Sequence, residues 1–590
     1  MILVSALVAA FTAATAAPAY RARLPEDEVI YFVLPDRFEN GDPANDRGGL
    51  SGDRLATGYD PTSKGFYHGG DIKGLIKRLD YIQGLGATAL WVAPIFKNKP
   101  VQGSPGQESA GYHGYWITDF TQVDPHFGTN ADFKRLVDAV HARGMKFYMD
   151  IVVNHTADVI QFAECAGKDD CPYRSIADFP YQRRGGVGGA PINPGFDGGN
   201  FARLKDPNYA YTVVVPPAEK DIKRPAWLND PIYYHNRGNS AFKGESSTMG
   251  DFVGLDDIYT ENPRVVAGMV DIYGAWIDKY GVDGFRIDTA QHVNPEFWQK
   301  FVPAMLARAK ARGIPHFHIF GEVATGDMDP AHTAVNTRVD KLPSVLDFSF
   351  TRAVVDVLSE NAGTDELAKL FRADPLYEGG AKAALELPTF LGNHDAGRFP
   401  SFVRHFMPNI SDGELLQREM LANAMLLTLR GVPTIYSGDE QGFVGKGGDQ
   451  DSRQDMFASQ VASYNKDRLL GTRSTTAQAN FNTDHPLYRQ IADLTRIRTS
   501  HPALTRGLQL VRFASEKPGL FAVSRFDPRT AREMLLLFNT STEPLKRQVR
   551  VETRSTRFET LAGTCPVTAD APGSVAIELP PLGYAVCNAR

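Results

Sequence analysis

An arginine and an aspartate two residues apart, closing an apolar run, are the first pair in this chain equipped for chemistry. They sit in Gly281-Val-Asp-Gly-Phe-Arg286-Ile-Asp288-Thr-Ala-Gln291-His292. Val282 to Ile287 reads as a strand, because β-branched and aromatic residues lead into a polar turn. Strand side chains alternate with period two, so Arg286 and Asp288 share a side. The guanidinium keeps the carboxylate ionised and aims it. Such a carboxylate at a strand's C-terminal end can act as a nucleophile, although the same pair also serves as a structural strand cap. Three further apolar runs end in comparable groups: Asp150-Ile-Val-Val-Asn154-His155, Gly321-Glu322-Val323 and Gly392-Asn393-His394-Asp395. If these ends share one rim, Asp288, Glu322 and Asp395 converge with two histidines. Retaining glycoside hydrolysis requires two carboxyl groups about 5–5.5 Å apart, one nucleophilic and one acid/base. Adjacent strands can supply that spacing. Glu322, flanked by Phe320 and Val323, is placed for the partial burial that keeps an acid protonated.

The elements able to hold these ends follow a β–α alternation. Strands are expected at Glu28–Leu34, Ala87–Ala93, Lys146–Val153, Val282–Ile287, His316–Glu322, Val345–Phe350, Leu387–Leu391 and Thr434–Tyr436. Helices are expected over Asp71–Leu85, over Phe133–Arg143 with Asn130 as cap, and from Asn262-Pro263 to about Tyr280. Eight such units predict a closed (β/α)8 TIM barrel, its site at the strand C-terminal ends. Residues 155–250, rich in Gly and Pro and without a long periodic run, read as a domain inserted after strand three. The barrel then comprises residues 26–154 and 251–500. From about His501, short alternating runs at Leu520–Phe526, Met534–Asn539 and Ser574–Leu579 predict a C-terminal antiparallel β-sandwich over 501–590.

With 590 residues, 43% hydrophobic and 22% charged, the chain has material for a large core and two or three domains. A formal net charge of −6 gives no basic field for nucleic acid or an anionic membrane. Aromatics, at 11%, are ample for stacking platforms. Residues 1–17 are small and apolar, ending Ala14-Thr-Ala-Ala17-Pro18, and resemble a signal peptide without a basic start. The four cysteines fall into two local pairs, Cys165/Cys171 and Cys565/Cys587, as expected for two small disulfide loops in an exported protein; four free thiols are the alternative.

Taken together, the four strand-end segments are similar to those of the α-amylase family of glycoside hydrolases, in the same order and spacing, and the resemblance covers nearly all of residues 26–590. It implies cleavage of α-1,4-glucosidic bonds in starch-like glucans and maltooligosaccharides through a covalent glycosyl-enzyme. Asp288 is then the nucleophile, Glu322 the acid/base, and Asp395 the group that stabilises the transition state through sugar hydroxyls. Arg286 orients Asp288, while His155 and His394 bond the sugar at the scission point. In Gly111-Tyr-His113-Gly-Tyr115-Trp116 the resemblance places Tyr115 under a sugar ring with His113 nearby; Trp116 reads as barrel packing. Gln291-His292 stands where the family often has Lys-His on the acceptor side.

Asn40-Gly-Asp42-Pro-Ala-Asn45-Asp46, followed by Gly69-Gly-Asp71, resembles a calcium loop of cyclodextrin glucanotransferases and neopullulanase-like relatives. It implies structural Ca²⁺ held by Asn40, Asp42, Asn45, Asp46, Asp71 and the Gly69 carbonyl, since this hard cation takes six or more oxygens. A second site between barrel and insertion is implied at Asn154 and His292, but Gly254 stands where the family carries an aspartate. The alternative activity is that of a glucanotransferase or a cyclomaltodextrinase/neopullulanase-type enzyme. Gly250, where cyclodextrin-forming relatives usually carry an aromatic, favours hydrolysis. Catalytically dead transporter-associated relatives lack the three carboxylates present here.

Overall fold

The computed structural model describes residues 19–166, 168 and 170–590, so the suspected signal segment lies outside the described residues. Eight parallel strands form one sheet: β1 (Ile30–Val33), β2 (Ala89–Val92), β3 (Lys146–Ile151), β4 (Gly284–Ile287), β5 (His318–Gly321), β6 (Ser344–Val345), β7 (Pro388–Thr389) and β8 (Val432–Tyr436). Their order is β6-β5-β4-β3-β2-β1-β8-β7. The seam between β6 and β7 is spanned just past the strands, where Asp347 N donates to Pro388 O at 2.9 Å. The sheet is thus a nearly closed barrel. Its lumen is packed solid by Ile30, Phe32, Trp91, Tyr148, Phe320, Phe390 and Tyr436. Gly284 gives Tyr148 its room: a Cβ there would lie 2.7 Å from the Tyr148 ring and 2.4 Å from His318 O.

The helices lay their apolar stripes on the outer face of this barrel. α1 (Asn130–Ala142) buries Phe133, Leu136, Val137 and Val140, and is capped by Thr129 rather than Asn130: the Thr129 hydroxyl accepts from Asp132 N while the Asp132 carboxylate accepts from Thr129 N. This capping box outcompetes a lone asparagine. The stretch expected as one helix over Asp71–Leu85 is two, Ile72–Lys77 and Leu79–Gly84, broken at Arg78. α2 (Pro263–Tyr280) starts as expected, with Asn262 accepting from Arg264 N, and ends at Gly281 in the left-handed region (φ 69°). α3 (Pro295–Ala311) packs beside it. The sixth strand is shorter than expected, because Asp347 caps α4 (Phe348–Ser359) and takes Phe348 and Phe350 into the helix. α5 (Asp412–Thr428) and α6 (Pro486–Ser500) complete the described shell around β8.

Residues 155–250 carry only short elements, among them the pair Gln161–Phe162/Val213–Val214, several single-turn helices and the Cys165–Cys171 disulfide. The C-terminal strands are β9 (Leu508–Phe513), β10 (Leu520–Phe526), β11 (Glu533–Asn539), β12 (Leu545–Arg550), β13 (Phe558–Ala562), β14 (Ser574–Leu579) and β15 (Tyr584–Ala589). They pair antiparallel as β9-β10-β11-β15-β13 and, separately, β12-β14. Alternation gives β10 and β11 two jobs. Leu520, Ala522, Leu535 and Leu537 meet Val549, Val575 and Ile577 of the small sheet. Phe521, Val523, Leu536 and Phe538 belong to the core they share with the barrel's helices.

The Cys565–Cys587 bridge ties the loop after β13 to β15, across 22 residues. Closing a loop of that size contributes about 3 kcal/mol in the chain-entropy account. The double variant C565S/C587S is expected to melt at lower temperature than the parent in non-reducing buffer, and reductant, which opens both disulfides, should lower the parent's melting temperature at least as far.

Candidate active site

Arg286 points into the barrel from β4 and is 1% exposed. Its Nη1 lies 2.9 Å from Asp288 Oδ1 and 2.8 Å from Asp150 Oδ1, and its Nη2 lies 2.8 Å from Glu322 Oε2. One guanidinium therefore clasps three carboxylates from the ends of β3, β4 and β5. The register explains it, since Arg286 sits opposite Asp150 on β3 and Phe320 on β5. Asp150 is held from its other side by Trp91 Nε1 at 3.0 Å. Glu322 also accepts from Thr289 N at 3.1 Å, and Thr289 stands in the left-handed region at φ 48°. Thus the turn after Asp288 is bent back to reach the glutamate.

Tyr115 joins this cluster to the far side of the rim. Its hydroxyl accepts from Arg286 Nη1 at 3.3 Å and lies 2.9 Å from His394 Nε2. Its ring is stacked with His394 and His113, centroids 5.6 Å apart in each pair. Asp395 faces the open cleft, its side chain 45% exposed, with Arg453 Nη2 at 2.8 Å from Oδ1. Arg453 is itself fixed by the His394 carbonyl at 3.0 Å and the Tyr112 hydroxyl at 3.1 Å.

Burial dominates the titration of the cluster. It pushes Asp288, Glu322 and Asp150 each up to about 7, with Arg286 pulling the other way and the neighbouring carboxylates adding to the rise. For Asp395 its partial burial is outweighed by His394, Arg453 and Arg286, which hold it down at about 2. Burial also lowers His155 and His394 to about 3, and His113 well below its ordinary value. The three histidines are neutral hydrogen-bonding groups at physiological pH. Tyr115 N donates to His113 Nδ1 at 3.1 Å, which leaves His113 Nε2 as the protonated nitrogen. His155 Nε2 is buried without a protein partner.

A cleft of about 1000 Å³ opens over these groups. Asp288, Glu322, Asp395, His113, Tyr115, His155, Gln291 and His292 all line it, and so does Trp116, half-buried at the cleft rather than packed within the barrel as expected. Arg286 and His394 lie beneath, bonded to lining residues. Asp150 and Arg453 were not among the residues singled out from sequence. Asp150 is signalled only by its register opposite Arg286, and Arg453 lies in an irregular loop after β8.

Residues 32–507 match the sequence profile of the alpha amylase catalytic domain. The chain belongs to the alpha-amylase family. It is 48% identical over 496 residues to an alpha-amylase of Streptomyces lividans, covering 84% of this chain and 53% of that one. It is 30% identical over 488 residues to a cyclomaltodextrin glucanotransferase of Bacillus licheniformis, covering 81% and 55%. The chain thus spans about half the length of these relatives. Among solved structures, the alpha-amylase of Geobacillus thermoleovorans, complexed with acarbose, superposes with a TM-score of 0.68 at 25% identity, over 96% of this chain and 99% of that one.

The two calcium sites that the family implies fare differently. In the amino-terminal loop, Asn40 Oδ1 and Asn45 Oδ1 are buried acceptors without donors. Asp46 and Asp71 lie against the same loop: Asn40 Nδ2 donates to Asp46 at 2.9 Å, and Asp42 N donates to Asp71 at 2.8 Å. Gly69 is seated so closely that a Cβ would fall 2.7 Å from Asp46 Oδ1. Orphaned amide oxygens beside two carboxylates and a close backbone fit a hard cation. The Asp42 side chain departs from expectation: it is part-exposed and paired with Lys73, outside the cradle.

At the junction of barrel and insertion the fit fails. Asn154 contacts His155, and His292 Nδ1 lies 2.9 Å from Ser247 O. Gly254 is at φ +84° with nothing within 4 Å of a Cβ. Among the described residues, no three His, Cys, Asp or Glu side chains are grouped to hold a metal, either at this junction or at the amino-terminal loop, where the unpaired acceptors are amide oxygens. The nearby carboxylate Asp256 is neutralised by an ammonium: Lys223 Nζ lies 2.5 Å from its Oδ2, both side chains 2% exposed. Asp256 also accepts from Val159 N and Ile160 N, and Lys223 from its other side meets the Tyr234 hydroxyl at 3.0 Å. This buried pair binds the end of the insertion to its beginning. Removing one partner of such a pair costs about 3–5 kcal/mol, whereas replacing both by apolar groups is far cheaper. Lys223→Met should lower the melting temperature markedly, and adding Asp256→Asn, which removes the uncompensated charge but keeps an acceptor for Val159 N and Ile160 N, should recover much of that loss.

Proposed function

We propose that the protein is a retaining glycoside hydrolase that cleaves α-1,4-glucosidic bonds in starch-like glucans and maltooligosaccharides. The observation that carries this is the clasp of Asp288 and Glu322 by one guanidinium, on adjacent strand ends, with Asp395 across the cleft. In this reading Asp288 attacks the anomeric carbon and forms a β-linked glycosyl-enzyme. Glu322 gives its proton to the departing glycosidic oxygen, then takes one from the water that releases the sugar in α configuration. Asp395, ionised and exposed, binds hydroxyls of the distorted ring. The neutral His113, His155 and His394 hydrogen-bond the same sugar without adding charge, and the Tyr115 ring covers its apolar face. Gln291 and His292 line the acceptor side.

Several features support the subordinate parts of the reading. The orphaned oxygens of Asn40 and Asn45, with Asp46, Asp71 and the Gly69 carbonyl, favour a structural Ca²⁺ in the amino-terminal loop, which would brace that loop against the barrel. Two disulfides support an oxidising, extracytoplasmic setting. The element pattern supports division into a barrel of residues 26–154 and 251–500, an inserted domain of 155–250 and a sandwich of 501–590. Relatives named cyclomaltodextrin glucanotransferase keep transfer to a sugar acceptor as the second reading. Small Gly250, beside the cleft-lining Phe252, favours water as acceptor.

Glu322→Gln should lose about 10²–10⁴-fold in kcat on maltoheptaose, the usual worth of a positioned acid/base. Retention of near-parental turnover would remove the assignment. Because burial raises Glu322 to about 7, its proton is present below that pH and lost above it. kcat/KM should therefore fall as pH rises above about 7, where Glu322 loses its proton, and also as pH drops below about 7, where Asp288 gains one, giving a narrow bell centred near neutrality. Early release of α-anomeric products from starch, followed by NMR, checks retention. Products longer than the starting maltoheptaose would move the reading to transfer. A chelator should lower the melting temperature of the parent, and Asn45→Ala should remove most of that response.

A further inference from the structure

A second cavity, about 390 Å³, lies on the side of the barrel, and none of its lining residues is shared with the catalytic cleft. Its long wall is one face of α2: Arg264, Gly268, Asp271, Ile272, Ala275, Trp276, Lys279 and Tyr280, at the three- and four-residue spacing of a helix stripe. The opposite wall comes from Phe120, Thr121, Pro225 and Trp227. The floor is aromatic. Trp227 is half-buried and lies flush on the helix, where a Cβ on Gly268 would come within 2.4 Å of its ring. Trp276 spends its N–H on Phe120 O at 2.9 Å, so what it offers is carbon surface. The rim is polar and of both signs: Arg264, Asp271 and Lys279 are exposed.

Tyr280 supplies an independent observation. Its side chain lines the cavity at 6% exposure, and its hydroxyl is buried with no protein partner. A buried hydroxyl left unpaired is costly. The whole array has aromatic carbon below, donors and acceptors of both charges around, and an unpaired hydroxyl at depth. That suits a ligand with apolar faces and a girdle of hydroxyls.

We infer that this cavity is a second carbohydrate site, which holds a maltooligosaccharide stretch of the polymer under attack with Trp227 as its stacking platform. The inference rests on the proposed α-glucan substrate. Its role is to raise the local concentration of long chains at the enzyme, a two-point attachment that short substrates do not need.

The test uses two variants. Trp227→Ala removes the platform. Ala275→Arg fills the cavity from an exposed helix position and leaves the Trp227–Gly268 packing intact. Maltoheptaose binding is measured by calorimetry in a Glu322→Gln background, which suppresses turnover, and initial rates on granular starch and on a maltotrioside are measured in the active form. Two binding events in the Glu322→Gln protein, one of them lost in both cavity variants, are expected. The rate on granular starch at low load should fall several-fold, with kcat/KM on the maltotrioside within twofold of the parent. Two binding events persisting in the Ala275→Arg protein, or equal losses on both substrates, would overturn the inference. Absence of turnover by the parent with both binding events intact would instead overturn the hydrolase reading and leave the second site standing.

Discussion

The site depends on a charge imbalance. One guanidinium, that of Arg286, is surrounded by Asp150, Asp288 and Glu322 in a nearly dry barrel mouth. If all three were ionised, the cluster would carry two excess negative charges. Like charges about 4 Å apart repel by about 4 kcal/mol at an effective dielectric of 20, so the cluster retains at least one proton near neutrality. Such a cluster can hold one ionised carboxylate and one protonated carboxyl side by side. Lysine could not replace Arg286: the fork meets Asp288 and Asp150 through one nitrogen and Glu322 through the other, a planar geometry an ammonium lacks. Asp150 touches no cleft surface, yet with Trp91 it fixes the arginine from below and contributes to the raised titration of Asp288.

The barrel supplies the rigidity that this imbalance demands. Arg286 has only one inward neighbour on its own strand, Gly284, whose missing side chain admits Tyr148 to the lumen. Phe32, Trp91 and Phe320 fill the rest, with Phe32 and Trp91 stacked at 3.9 Å. A floor packed that tightly gives the guanidinium no room to swing. Beyond the shell, the sandwich shares its central strands with the barrel's core: Phe521 lies in a stacked pair with Phe371, 6.2 Å between centroids. The C-terminal sheet therefore buttresses the barrel face that carries β7 and β8.

What was legible in the sequence follows from periodicity. All eight barrel strands were readable because each is a short apolar run stopped by polar residues, and because parallel strands covered on both faces need no alternation. The strand-end carboxylates came with them, since position along such a run fixes which residue reaches the rim. Boundaries set by competing caps were less readable. Thr129 displaced Asn130 through a reciprocal bond with Asp132, and Asp347 drew Phe348 out of a strand and into a helix. Sandwich strands β9, β12, β13 and β15 escaped notice; β12, for example, is mostly exposed and charged, so its apolar signal is thin. Arg453 was invisible for a different reason. Its loop has no period, and its partners Tyr112, His394 and Asp395 are remote in sequence.

The junction of barrel and insertion shows how one structural demand can be met by different chemistry. A carboxylate at the base of an inserted segment must be neutralised if it is buried, by a metal or by a side chain. Here Lys223 does so, from within the insertion, and its Nζ also sits 4.1 Å from the Tyr234 ring centroid. A second buried pair, His235 with Asp257 at 2.5 Å, follows along the same returning strand of chain. An ammonium on a covalent tether needs no ion from solution and is not lost on dilution. The insertion forms one wall of the cleft through Phe242, Ser247 and Thr248. The shape of that wall is accordingly tied to a lysine whose position in sequence lies outside every strand-end segment, while the amino-terminal loop keeps two buried amide oxygens, of Asn40 and Asn45, without donors.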